Sequence, residues 1–185
     1  MNKKQALFSL LTVLIIASFL RLYNLMPADN SGRFSPPGLY PDEAMNGNNA
    51  VEAIHTGDWK VFYPENFGRE GLFINIQSVS IMALGNTPWA LRLPSALFGI
   101  LTVLGLYFLS KELLKSEQAA IFSSFLLATS FWHIMFSRIG FRAIMAPFFL
   151  VWAVYLLILS FRKVREERWS PLKCDLLSAL AGAIF

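Results

Sequence analysis

Apolar runs alternate with short charged segments along the chain. The first covers residues 6–25 and is unbroken from Ala6 to Leu20, close to the roughly 20 residues that a helix needs to cross a bilayer. Further runs of crossing length lie at residues 91–110, 118–137 and 143–161. "LLSALAGAIF", residues 176–185, begins another at about residue 175. It breaks off short of a span, so the chain reads as a fragment, a truncated open reading frame or the first part of a longer protein. "GLFINIQSVSIMALG", residues 71–85, is too short for a comfortable crossing and carries Asn75, Gln77, Ser78 and Ser80. This pattern predicts a juxtamembrane helix in or near the interface. Between the first run and this helix, residues 26–70 form a polar loop. Pro36, Pro37 and Pro41 break structure early in it; Asp42 can cap a helix to about His55, and Gly57 can end that helix. The fold class expected is all-α: a polytopic transmembrane helical protein with an external loop carrying juxtamembrane helices.

Composition agrees. The 185 residues are 55% hydrophobic and 15% charged, against about 45–50% and about 25% in soluble domains. The net charge of +4 does not point to nucleic acid, because the basic residues flank apolar runs. Lys3 and Lys4, "SKELLK" at 110–115, and "RKVREERWSPLK" at 162–173 fall on one side if residues 71–85 do not cross. The positive-inside rule then makes that side cytoplasmic and the 26–70 loop external. The first run could also be a cleaved signal peptide. Phe19, Leu20 and Arg21 stand where a small-residue cleavage site would, so an uncleaved helix is the preferred reading. The single cysteine, Cys174, excludes an intrachain disulfide.

Topology gathers the candidate chemistry at the external end: Asp42 and Glu43 in the loop, Arg69 and Glu70 at its end, Arg92, Arg138 and Arg142 at span ends. A carboxylate can accept a proton from an attacking hydroxyl or amine, and guanidinium groups can hold a departing phosphate. Plainer roles compete. Asp42 can be a helix cap, Glu43 a first-turn charge, and the arginines snorkelling side chains. His133, beside Trp132 and Met135, reads as interfacial; no spacing pairs it with His55 as a metal ligand. Trp59, Trp89 and Trp132 suit an aromatic belt. A transporter reading finds no mid-helix charge in 91–110 or 143–161 to support it.

Three stretches in order carry a resemblance: "YPDEAMNGNNAVEAIHTGDWKVFYP", "GREGLFINIQSVSIMALGNTPWALRLPSALFGILTVLGLYFLSKELL" and "ATSFWHIMFSRIGFRAIMAPFFLVWAVYLL". The chain resembles the GT-C membrane glycosyltransferases, in the branch of protein O-mannosyltransferases and aminoarabinose transferases, and specifically their N-terminal part. The resemblance implies transfer of a sugar from a polyprenyl-phosphate donor to a protein or lipid/glycan acceptor at the extracytoplasmic face of the cell membrane. It places Asp42 on the catalytic base, with Glu43 beside it. It puts Arg69 near a basic position before the juxtamembrane helix and Arg138 on an arginine after the third crossing. Arg69, Arg92 and Arg138 are thus the expected donor-phosphate ligands, and Glu70 a further acidic group. The sequence departs from relatives at "GREGL", where many have a Lys-Pro or His-Pro-Pro motif, and at Ala146 before Pro147, where some have an acid. No cofactor is expected, and no ligand motif supports a divalent metal. A non-catalytic membrane module, binding lipid-linked sugar or a partner, is the alternative function.

Overall fold

The computed structural model describes residues 2–25, 38–65 and 68–165, with residues 176, 178, 179 and 182. Expectations for 26–37, 166–175 and most of 175–185 lie outside the described residues. Among those described, seven α-helices and one hairpin of two two-residue strands account for nearly all regular structure, so the protein is all-α.

Helix α1, Lys3–Leu22, starts with a reciprocal cap. The Asn2 side chain accepts from the Lys4 N–H at 3.3 Å, and the Gln5 side chain accepts from the Asn2 N–H at 3.1 Å. Helix α2 is Pro41–Thr56. Its N-cap is Tyr40, which corrects the capping role expected of Asp42. Pro41 takes the first helical position, where its fixed φ and missing N–H cost nothing, and Asp42 becomes the second residue of the turn. Gly57, at φ 72°, ends the helix in the left-handed region. Strands β1, Phe62–Tyr63, and β2, Arg69–Glu70, pair antiparallel, Phe62 opposite Glu70 and Tyr63 opposite Arg69. Helix α3, Gly71–Leu84, follows at once. A Cβ on Gly71 would collide with the Lys60 carbonyl, so only glycine lets the hairpin turn into the helix there.

Helix α4, Pro88–Leu114, is longer than the 91–110 run. Thr87 caps it by accepting from the Ala90 N–H at 3.2 Å, which draws three more residues into its start. At about 1.5 Å per residue, its 27 residues exceed the ~30 Å hydrocarbon core. It is the central helix, packed by α1, α3 and the three helices that follow it. Half of its apolar window is buried, against 22% for α1 and 17% for the last span. Gly105 lets Trp152 lie against its backbone, since a Cβ would stand 2.8 Å from the indole nitrogen.

The 118–137 run is not one straight helix. It divides at Ser130 into α5, Glu117–Thr129, and α6, Phe131–Arg138, bent by 57°. The cause is Arg21 on α1. It donates to the carbonyls of Ala128 at 3.0 Å and Leu127 at 3.3 Å, supplying the bonds that a continued helix would have made. A 3₁₀ turn, Arg142–Ile144, leads into α7, Met145–Arg165, where the sequence pattern placed 143–161. Among the described residues, three helices are long and apolar enough to cross a membrane, or four if the bent pair is one span. Large apolar side chains such as Phe8, Ile15 and Phe122 are exposed on their outer faces, as expected of surfaces that meet lipid.

One end of the bundle gathers the end of α1, all of α2 and α3, the hairpin, the start of α4, and the link from α6 to α7. The other holds Lys111, Glu112, Lys115, Glu117 and Arg162, joined in ion pairs Lys111–Glu117, Lys115–Glu112 and Arg162–Glu112.

Candidate functional site

The first turn of α2 points its two carboxylates in different directions. Successive helical residues are about 100° apart, so Asp42 and Glu43 cannot share one face. Asp42 faces β2. Its Oδ1 accepts from Arg69 Nη2 at 2.9 Å, and its backbone carbonyl from Arg69 Nη1 at 3.1 Å. Arg69 also donates to Asn46 Oδ1, one turn along α2. The Arg69 side chain is 6% exposed and that of Asp42 is 53% exposed. The carboxylate is therefore anchored by a buried arginine while its side chain stays half exposed.

Glu43 faces the core and is 1% exposed. Its carboxylate accepts from Arg92 Nε at 2.6 Å, from Arg92 Nη2 at 2.9 Å and from the Gly140 N–H at 2.8 Å. Arg92 Nη1 donates to the Leu25 carbonyl at 3.0 Å. Three parts of the chain thus meet at one carboxylate: the first turn of α2, the start of α4, and the α6–α7 link. Asn46 adds a second tie, donating to the Gly140 carbonyl at 3.1 Å. Gln77 on α3 donates to the Leu91 carbonyl at 2.9 Å. A Cβ on Gly140 would lie 3.0 Å from Gln77 Nε2 and 3.1 Å from Glu43 Oε1, so glycine there allows the close approach.

The arginines separate by environment. Arg92 is fully buried, which excludes snorkelling. Arg138 donates to the carbonyls of Leu20 at 3.0 Å, Tyr23 at 2.7 Å and Asn24 at 3.0 Å, closing the end of α1. Arg142 pairs with Glu70 at the surface, with side chains 36% and 76% exposed. Arg21 Nη2 lies 2.9 Å from His133 Nδ1. Guanidinium only donates, so Nδ1 accepts and the neutral ring carries its proton on Nε2. Among the described residues, no group of three or more His, Cys, Asp or Glu side chains converges as a metal site would require. A groove of about 500 Å³ between α2 and the start of α4 is bordered by Glu52 and His55, on the face of α2 turned away from Asp42.

The structure therefore brings Asp42 to Arg69 and Glu43 to Arg92, and sets Glu70 against Arg142. Arg138 stands apart from both carboxylates. Sequence reasoning missed Asn46 and Gly140. Asn46 is one turn beyond Asp42 in a helix with few apolar residues, a signal for a buried polar tie. Gly140, inside "FSRIGFR", gave none.

No solved structure matches the chain. It is 25% identical over 165 residues to a protein of Bacillus subtilis (strain 168) named "Putative mannosyltransferase YkcB", a match covering 88% of this chain. The chain spans 22% of the length of that curated relative. Residues 72–184, more than half the chain, match the dolichyl-phosphate-mannose-protein mannosyltransferase family. That match starts at α3 and runs through the arginine-bearing segments, and by it the chain belongs to this family.

Proposed function

We propose that the chain carries the acceptor-activating part of a membrane glycosyltransferase using a polyprenyl-phosphate sugar at the extracytoplasmic face. Asp42 accepts the proton of the acceptor hydroxyl or amine. The freed electron pair attacks the anomeric carbon, the bond from that carbon to the phosphate oxygen breaks, and the carrier leaves as polyprenyl phosphate. Glu43 and Arg92 act by position, holding the turn that presents Asp42; Arg138 holds the end of α1. Arg69 fixes the orientation of the base. The reading uses no cofactor.

The observation that carries it is the half-open Asp42 carboxylate clamped by a buried arginine, within a family of glycosyltransferases. Asp42→Asn keeps the shape and removes the base. Transfer from a labelled polyprenyl-phosphate sugar should fall by about 10²–10⁴-fold, with helicity and membrane insertion unchanged. Wild-type activity in that variant would remove Asp42 from the mechanism. A second reading is a non-catalytic membrane module that binds lipid-linked sugar or a partner. That reading expects donor binding by this chain with no transfer even in the wild type.

A further inference from the structure

We propose that Arg142 is the donor-phosphate ligand of this site, and that Glu70 holds its place in the donor-free protein as a displaceable stand-in. The inference rests on the glycosyl-transfer reading and names a residue pair which that reading leaves without a task.

Among the described residues, the guanidinium groups at this end of the bundle differ in what holds them. Arg92 is buried against a buried carboxylate. Pulling it toward a phosphate would strand Glu43 without its counter-charge, an expensive state. Arg138 satisfies carbonyls at the end of α1, which would be orphaned if it turned away. Arg69 is 6% exposed and holds Asp42 and Asn46; moving it would release the base. Arg21 is fully buried and closes α5. Arg142 differs on each point. It is partly exposed, and its partner among the described residues is a carboxylate that is itself 76% exposed. An ion pair so open to water contributes little to stability, so the singly charged donor phosphodiester, with two free oxygens for the guanidinium fork, can displace its carboxylate. Both members are tied to the base. Glu70 follows Arg69, which holds Asp42. Arg142 lies two residues past Gly140, whose N–H and C=O engage Glu43 and Asn46. A phosphate taken by Arg142 therefore sits beside the scaffold that positions Asp42. The charge on phosphate grows as the sugar leaves, so the contact strengthens when it is needed.

The test is binding of a short, water-soluble isoprenyl monophosphate to the full chain in nanodiscs of neutral phospholipid. Wild type, Glu70→Gln, Arg142→Gln, the double variant and a control, Glu52→Gln, are compared, with helicity checked for each. Arg142→Gln should weaken binding by about tenfold or more. Glu70→Gln should tighten it by about two- to fivefold, the control should not, and the gain should vanish in the double variant. Equal tightening by Glu52→Gln would reduce the effect to general field and overturn the stand-in role. Wild-type affinity in Arg142→Gln would overturn the ligand assignment while leaving donor binding intact. Absence of binding by the wild type would remove the glycosyl-donor reading and the inference together. Inorganic phosphate binding as tightly as the isoprenyl ester, with the same Arg142 dependence, would overturn the assignment to a lipid carrier.

Discussion

Adjacent carboxylates in one helical turn have opposite fates because a helix sends neighbours to different faces. Glu43 goes inward and meets Arg92; Asp42 goes sideways and stays in contact with water. The pairing makes a stability prediction. Glu43→Ala leaves the buried Arg92 uncompensated and should cost about 3–5 kcal/mol. Glu43→Leu with Arg92→Met removes both charges and should recover much of that loss, because the desolvation of the pair disappears too. Denaturant titration in detergent, followed by helicity, reads both. A double variant no more stable than Glu43→Ala would show that the cost lies in packing. The importance of "PDEA" was legible in the sequence, since two acids in an apolar chain stand out. Which acid faces the core was not, because the phase of α2 is set by Pro41 taking the first helical position, whereas the pattern alone suggested Asp42 as the cap.

Helices long in apolar residues were legible as an all-α membrane architecture. Their interruptions were not. Nothing between Thr129 and Phe131 announces a break, as there is no proline or glycine; the donors that end α5 come from Arg21, 107 residues earlier. Arg138 acts similarly on α1 from far along the chain. Such long-range caps leave no local signature. Arg138→Gln should therefore fray the end of α1 and cost about 1–3 kcal/mol, with faster amide exchange in residues 20–23 as the readout. Gly140→Ala tests the α6–α7 link. Its methyl would press on Gln77 and on Glu43, with an expected loss of about 1–3 kcal/mol. An unchanged melting transition would mean that the link has room to move.

Taken whole, the bundle has a polar end built around Asp42 and an end built from lysine–glutamate pairs, with α4 running between them. The proposed orientation puts the Asp42 end outside. In a Cys174→Ser background, cysteine at Asp58 should react with a membrane-impermeant thiol reagent added to intact cells. Cysteine at Lys115 should react only after permeabilisation, and the reverse pattern would invert the topology. The Arg21 cap has a bearing on how the bundle is made. α1 leaves the ribosome long before the carbonyls that its arginine will serve. At about 5–20 residues per second, the wait for Ala128 lasts roughly 5–20 s. Throughout that interval a charge at the end of the first span has no α5 to meet. Position 21 lies near the end of α1, where a long side chain can reach the headgroup layer. The nascent helix can thus park its charge in the interface and retract it when α5 and α6 arrive, which makes closure of the bend at Ser130 a late step of assembly.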